Sequence, residues 1–190
     1  MASILNVDQI NNAAGTSGIA LDASTGKASF PNSVTIPNGA TMPAGSVLQV
    51  VQAIKSNETS TSSTSFVDTG LSKSITPTSS SSKIMITLDM PTRSNNMGVS
   101  LLVRYSTDGG STYSDVSIAG NQNNWGHAAG YTAAGTTANW SHVTKNFVHS
   151  PSTASTITYK VQYKGVGSGA NCIICDSSDA AILTLTEIAG

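Results

Sequence analysis

Residues 120–142 read GNQNNWGHAAGYTAAGTTANWSH, the stretch of the chain where side chains with chemical character gather. Asn121, Gln122, Asn123, Asn124, Trp125, His127 and Tyr131 alternate there with glycine and alanine. Aromatic faces stack on sugar rings while amides exchange hydrogen bonds with sugar hydroxyls, so the mixture fits contact with a glycan or a surface receptor. Trp125, His127 and Tyr131, with Asn123 and Asn124, are the candidate contact residues. The same composition also fits a plain surface loop or packing between subunits. Trp140 and His142 share strand parity, and Trp140 is expected in the core.

Catalytic and metal chemistry have less to stand on. His127, His142 and His149 have no GxSxG, HExxH or paired-carboxylate partner. Cys172 and Cys175 form a CIIC unit, but redox CxxC motifs start at a helix N-terminus and these flanks are strand-like. Positions three apart on a strand face opposite sides, so ordinary strand cysteines are expected. A zinc site would need two further ligands, and no second CxxC or HxxxH exists. No enzyme activity, cofactor or metal is expected. Asn57-Glu-Thr and Asn139-Trp-Ser match glycosylation sequons that are expected to be idle without an export signal.

The elements that must carry these residues begin with three six-residue units in residues 30–47: FPNSVT, IPNGAT and MPAGSV. Each has one large apolar side chain followed by proline, which cannot donate to a central strand. One copy cannot bury itself. Identical chains around a symmetry axis would let Phe30, Ile36 and Met42 stack inward, so the repeat predicts a homo-oligomeric stem, and a short intertwined trimer accounts for the spacing. Fully extended, these 18 residues span about 60 Å at most, a collar rather than a long shaft. Residues 1–45 are expected to form the stem and anchor, and 46–190 one globular domain. Within the first segment, residues 22–26 predict a tight turn or hairpin.

Downstream the texture is that of strands. KIMITLDM sets Ile84, Ile86, Leu88 and Met90 against Lys83, Thr87 and Asp89. GVSLLVRYS aligns Val99, Leu101, Val103 and Tyr105, and ITYKVQYK sets Ile157, Tyr159, Val161 and Tyr163 against Thr158, Lys160, Gln162 and Lys164. With SVLQVVQAIK, SFVDTGLSKSIT and AAILTLTEI these make about eight strands separated by turn signals. The fold class expected is all-β: a stem with proline-containing hexads, then an antiparallel, jelly-roll-like β-sandwich. No helix longer than two turns is expected.

Composition narrows the partners. Charged residues are 10% of the chain against about 25% in ordinary soluble proteins, and the formal net charge is −1. Nothing there matches nucleic acid or an anionic membrane. Thirty serines and twenty-three threonines supply hydroxyls in place of charges, which suits extracellular and virion β-proteins. The amino terminus lacks the basic and apolar regions of a secretion signal, and no run approaches the roughly 18 apolar residues of a membrane helix. Neither export by a standard signal nor membrane insertion is expected; assembly into particles released by lysis would reconcile such a surface with that start.

Two local resemblances are structural. Ser106 to Tyr113, STDGGSTY, resembles the Asp-box of sialidase propellers over eight residues; Asp108 is expected to accept turn N–H groups, Gly109 and Gly110 to adopt positive φ, and Tyr113 to pack beneath. The hexads partly resemble the left-handed β-helix of hexapeptide acyltransferases, but three hexads make one coil at most.

Along nearly the whole chain, SILNVDQI…GIALDASTGKASFPNSVTIPNGATMPAGSVLQVVQ, TSFVDTGLSKSITPTSSSSKIMI and SPSTASTITYKVQYK resemble tail-fibre and related structural proteins of marine bacteriophages, particularly those infecting cyanobacteria. The resemblance implies a trimeric virion protein whose N-terminal stem docks on other virion proteins and whose β-domain points outward toward host glycans. A capsid decoration or head-fibre protein is the alternative within that class, and a carbohydrate-active enzyme the alternative outside it.

Overall fold

The structure, a computed structural model, describes residues 42–95, 98–117, 138–168, 171–176 and 179–190, with the backbone of short strands at 9–11, 17–21, 28–29 and 126–128. The chain forms two compact units, Met1–Thr41 and Met42–Gly190. In the first, β1 (Gln9–Asn11), β2 (Ser17–Leu21) and β3 (Ala28–Ser29) make an antiparallel sheet in that order. The pairs Ala20 with Ser29 and Leu21 with Ala28 bracket the turn expected at 22–26, which itself lies outside the described residues, as do Phe30 and Ile36.

The second unit contains β4 (Val47–Lys55), β5 (Thr59–Thr61), β6 (Val67–Ile75), β7 (Lys83–Asn95), β8 (Val99–Ser106), β9 (Ser114–Asp115), β10 (Gly126–Ala128), β11 (Ala138–His149), β12 (Ile157–Gly165), β13 (Asn171–Ile174) and β14 (Ala181–Ile188). One sheet runs β10-β8-β12-β6 with β9 on β8; the other runs β4-β14-β7-β13-β5 with β11 on β7. Every pairing is antiparallel, and the described residues contain no helix. The two inward faces share one hydrophobic core, the arrangement of a β-sandwich.

Period-two patterning builds that core. Ile84, Ile86, Leu88 and Met90 of β7, Val99, Leu101 and Val103 of β8, and Ile157, Tyr159, Val161 and Tyr163 of β12 are all 0% exposed, as their alternation requires. Burying each aliphatic chain is worth about 2 kcal/mol, which pins strand register because a one-residue slip would expose the whole set. The neighbours expected outside follow suit except Gln162, which is buried and donates to Asp68 Oδ1 at 2.7 Å.

Two features depart from simple alternation. Cys172 and Cys175 both enter the core, because Cys175 takes φ 57° at the end of β13 and the expected opposite facing is lost. Both thiols are free; Cys172 Sγ lies 3.9 Å from the Gly98 carbonyl and Cys175 Sγ lies 3.3 Å from that of Lys55. On β14 the inward parity of Ala181, Leu183 and Leu185 continues to Glu187, whose side chain is also 0% exposed. Its carboxylate accepts hydrogen bonds from Gln49 Nε2 at 2.6 Å and from the N–H and Oγ1 of Thr78 at 2.6 and 2.7 Å. Buried charge is tolerable there because donors surround it.

The turn at 106–113 forms as its residues predict. Asp108 Oδ1 accepts from Ser106 Oγ at 2.6 Å and Thr112 N at 3.0 Å, and Oδ2 accepts from Thr112 Oγ1 at 2.6 Å. Gly109 and Gly110 take φ 73° and 93°, values that side chains with Cβ rarely adopt.

Candidate functional site

Strand β11 pairs with β7 along its whole length, from Ala138 opposite Asn95 to His149 opposite Ile84. Val143 is buried against the core and Phe147 packs beside it, which fixes the opposite parity, Trp140, His142, Thr144, Asn146 and Val148, toward solvent. Trp140 is therefore 58% exposed. This corrects the core placement expected for it: Trp140 and Val143 are three residues apart on one strand and cannot share a face.

Beneath the indole lies Arg93, its direct partner across β7, with Cζ 5.2 Å from the ring centroid. Arg93 Nε pairs with Asp176 Oδ2 at 2.5 Å, and Asp176 is only 7% exposed. The guanidinium is held from two directions, so the indole rests on a fixed cationic support.

Asp176 reaches this face through an interruption in the sheet. Strands β13 and β14 both pair with the same edge of β7, at Thr92–Asn95 and at Lys83–Asp89, and between them Cys175, Asp176 and Asp179 lie off the strand line. Cys175 N anchors that excursion by donating to the Pro91 carbonyl at 3.3 Å. It delivers Asp179 as well as Asp176. His142 Nδ1 lies 3.2 Å from Asp89 Oδ1 and its Nε2 lies 3.5 Å from Asp179 Oδ2, while Thr144 Oγ1 donates to Asp89 Oδ1 at 3.0 Å. The hydrogen bond to Asp89 raises the His142 pKa above its ordinary value; burial opposes this and Asp179 adds to the rise.

The result is an exposed face with one large aromatic surface, the carboxylates of Asp89 and Asp179, an imidazole and a hydroxyl, backed by Arg93 and the buried Asp176. An indole face takes the C–H side of a sugar ring, and carboxylates accept from paired sugar hydroxyls. Both ring nitrogens of His142 face carboxylates. Among the described residues, no group of three or more His, Cys, Asp or Glu side chains is arranged to hold a metal ion.

Of the residues singled out by sequence, Asn123, Asn124, Trp125 and Tyr131 lie outside the described residues. His127 is placed only by its backbone, at the centre of β10 opposite Ser100. Met42 opens the second unit and is 37% exposed. The face around Trp140 was missed because its members are distant in sequence, although the opposite parity of Trp140 and Val143 is a legible clue. No protein-family model matches the chain, and no curated protein matches it.

Proposed function

We propose that this chain is a non-enzymatic structural and adhesive protein of a bacteriophage particle. Residues 1–45, with the proline hexads, form a homotrimeric stem that docks on other virion proteins. The jelly-roll-like β-domain faces outward and contacts host-surface glycan. The observation that carries the adhesive reading is Trp140, a tryptophan 58% exposed on a fully paired strand and backed by the Arg93–Asp176 pair. An exposed indole is the side-chain type that most often anchors a binding partner, with an apolar face to stack and an N–H to donate. The low charge, the serine and threonine content and the textual resemblance to marine phage fibre proteins support the particle setting.

Two measurements on the intact chain test this reading. Sedimentation should give three copies, and a Phe30→Ser, Ile36→Ser, Met42→Ser variant should dissociate; a wild-type monomer overturns the stem. Binding to host-cell polysaccharide should be saturable and should fall in Trp140→Ala. A trimer that binds no host polysaccharide would instead favour a capsid decoration role.

A further inference from the structure

A second built feature lies on the other sheet. Strand β6 sets three residues, Thr69, Gly70 and Leu71, against the single residue Val161 of β12, between the register pairs Ser72 with Lys160 and Asp68 with Gln162. This wide bulge is stapled from inside: buried Thr69 Oγ1 donates to the Val161 carbonyl at 2.7 Å and accepts from Leu71 N at 3.0 Å. Gly70 at its tip takes φ 80°, a conformation that residues with Cβ rarely adopt. Facing the bulge is the turn at 106–113, which brings Gly110 and Tyr113 to the same place. Between them is a cleft of about 350 Å³ lined by Asp68, Gly70, Ser72, Gly110, Tyr113 and Lys160, among others.

The polar groups in the cleft are fixed in place. Lys160 Nζ sits 3.9 Å over the Tyr113 ring and 3.0 Å from Asp68 Oδ1, while Gln162 Nε2 holds the same carboxylate at 2.7 Å. The lysine is mostly covered, with 18% of its side chain exposed, and Asp68 at 57% stands open at the rim. A simple surface ion pair needs neither the stapled bulge nor two positive-φ glycines flanking it. Bulges and bare glycine backbone recur where a ligand approaches the main chain closely.

We infer that this cleft between the β6 bulge and the 106–113 turn is a binding site for a small, neutral, polyhydroxylated ligand of monosaccharide size. An anion would meet Asp68, and a cation would meet Lys160. A hydroxyl group does both jobs at once, accepting from the ammonium and donating to the carboxylate. Ser72 adds a hydroxyl to the same lining. The volume lies at the lower end of the range of small-molecule sites, which matches a single ring rather than an oligomer. This site is independent of the face around Trp140.

The test is a titration of the intact chain with free glucose, galactose and N-acetylglucosamine, followed by amide chemical shifts. Expected are shifts at Gly70, Ser72, Gly110 and Tyr113, with millimolar affinity, retained in Trp140→Ala. Lys160→Met keeps the aliphatic stem over Tyr113 and should weaken binding about tenfold or more, the weight of a charge-assisted hydrogen bond. Asp68→Asn should do likewise, with melting curves to separate lost binding from the lost Gln162 and Lys160 contacts. No shift at the cleft amides with any of the three sugars, or unchanged affinity in both variants, overturns the inference. Because Trp140→Ala is a control here, failure at the cleft and failure of the adhesive face are read separately.

Discussion

Trp140 sits directly opposite Arg93 across the β11–β7 pair, with the guanidinium carbon 5.2 Å from the centre of the indole. An arginine held this way does two things. It rigidifies the aromatic surface before any partner arrives, which lowers the ordering cost of binding, and it draws Asp176 into the same unit.

Replacing Trp140 by alanine should therefore separate binding from folding. Thermal stability is expected to change by within about 0.5 kcal/mol, since an outward side chain contributes little to the core. Affinity for host polysaccharide is expected to fall about tenfold or more, as for other aromatic anchors. Arg93→Ala should behave differently, costing about 1–3 kcal/mol because it removes the ion pair of an Asp176 carboxylate that is only 7% exposed. Melting curves paired with binding isotherms distinguish the two variants.

His142 links two elements through its two nitrogens, Asp89 on β7 and Asp179 on the excursion between β13 and β14. Its folded pKa is raised, first by the hydrogen bond to Asp89. A raised pKa stabilises the folded state fully below the ordinary value of about 6.5, and that contribution is lost as pH rises through the folded value. Proton NMR of the His142 ring should show titration above the ordinary value, and Asp89→Asn should lower the midpoint toward it. An unshifted midpoint in the wild type would dismiss the Asp89 contact as a determinant.

Much of the sandwich is legible in the chain because its central strands carry strict alternation. Along β7 and β12 the residue types alone assign the inward face, whereas on β8 Ser100 and Leu102 are buried opposite Val99, Leu101 and Val103. Trp140 escaped because β11 mixes Asn, Trp, His and Lys, and its orientation follows from Val143 and Phe147, which pack on partners fixed only by the fold. The bulge at Gly70 was equally hidden, as it depends on register against Val161, 92 residues beyond Thr69. Glycine in a strand marks such a site, but nothing local says which strand will stand opposite.

The two cysteines should be chemically silent in the folded protein. Burial pushes both thiols up from their ordinary value, and each is at most 1% exposed. The thiolate is the reactive form, so at neutral pH an aromatic disulfide reagent is expected to label neither residue. Denaturant should release two thiols per chain. Rapid labelling of either thiol under native conditions would mean that the end of β13 opens locally.

Glu187 carries the clearest stability prediction. Its carboxylate points into the sandwich at 0% exposure, joined to Gln49 on β4 and to Thr78 in the connection between β6 and β7. Burial alone would raise its pKa, but the hydrogen bonds from Gln49 and Thr78 outweigh it and the net shift is downward. A depressed pKa gives stability that is present above the unfolded value of about 4.5 and lost as pH falls through the folded value. Removing the carboxylate with Glu187→Ala would leave the Gln49 amide and the Thr78 N–H and hydroxyl without their acceptor. The expected loss at neutral pH is about 2–4 kcal/mol, read from denaturant midpoints at constant m-value. Glu187→Gln keeps the shape but turns one acceptor into a donor facing other donors, so it should recover only part of that loss. The wild-type advantage over Glu187→Gln should shrink as the medium is acidified below pH of about 4.5, because protonating the glutamate imposes the same mismatch. An advantage that stays constant through that range would show that Glu187 contributes packing alone.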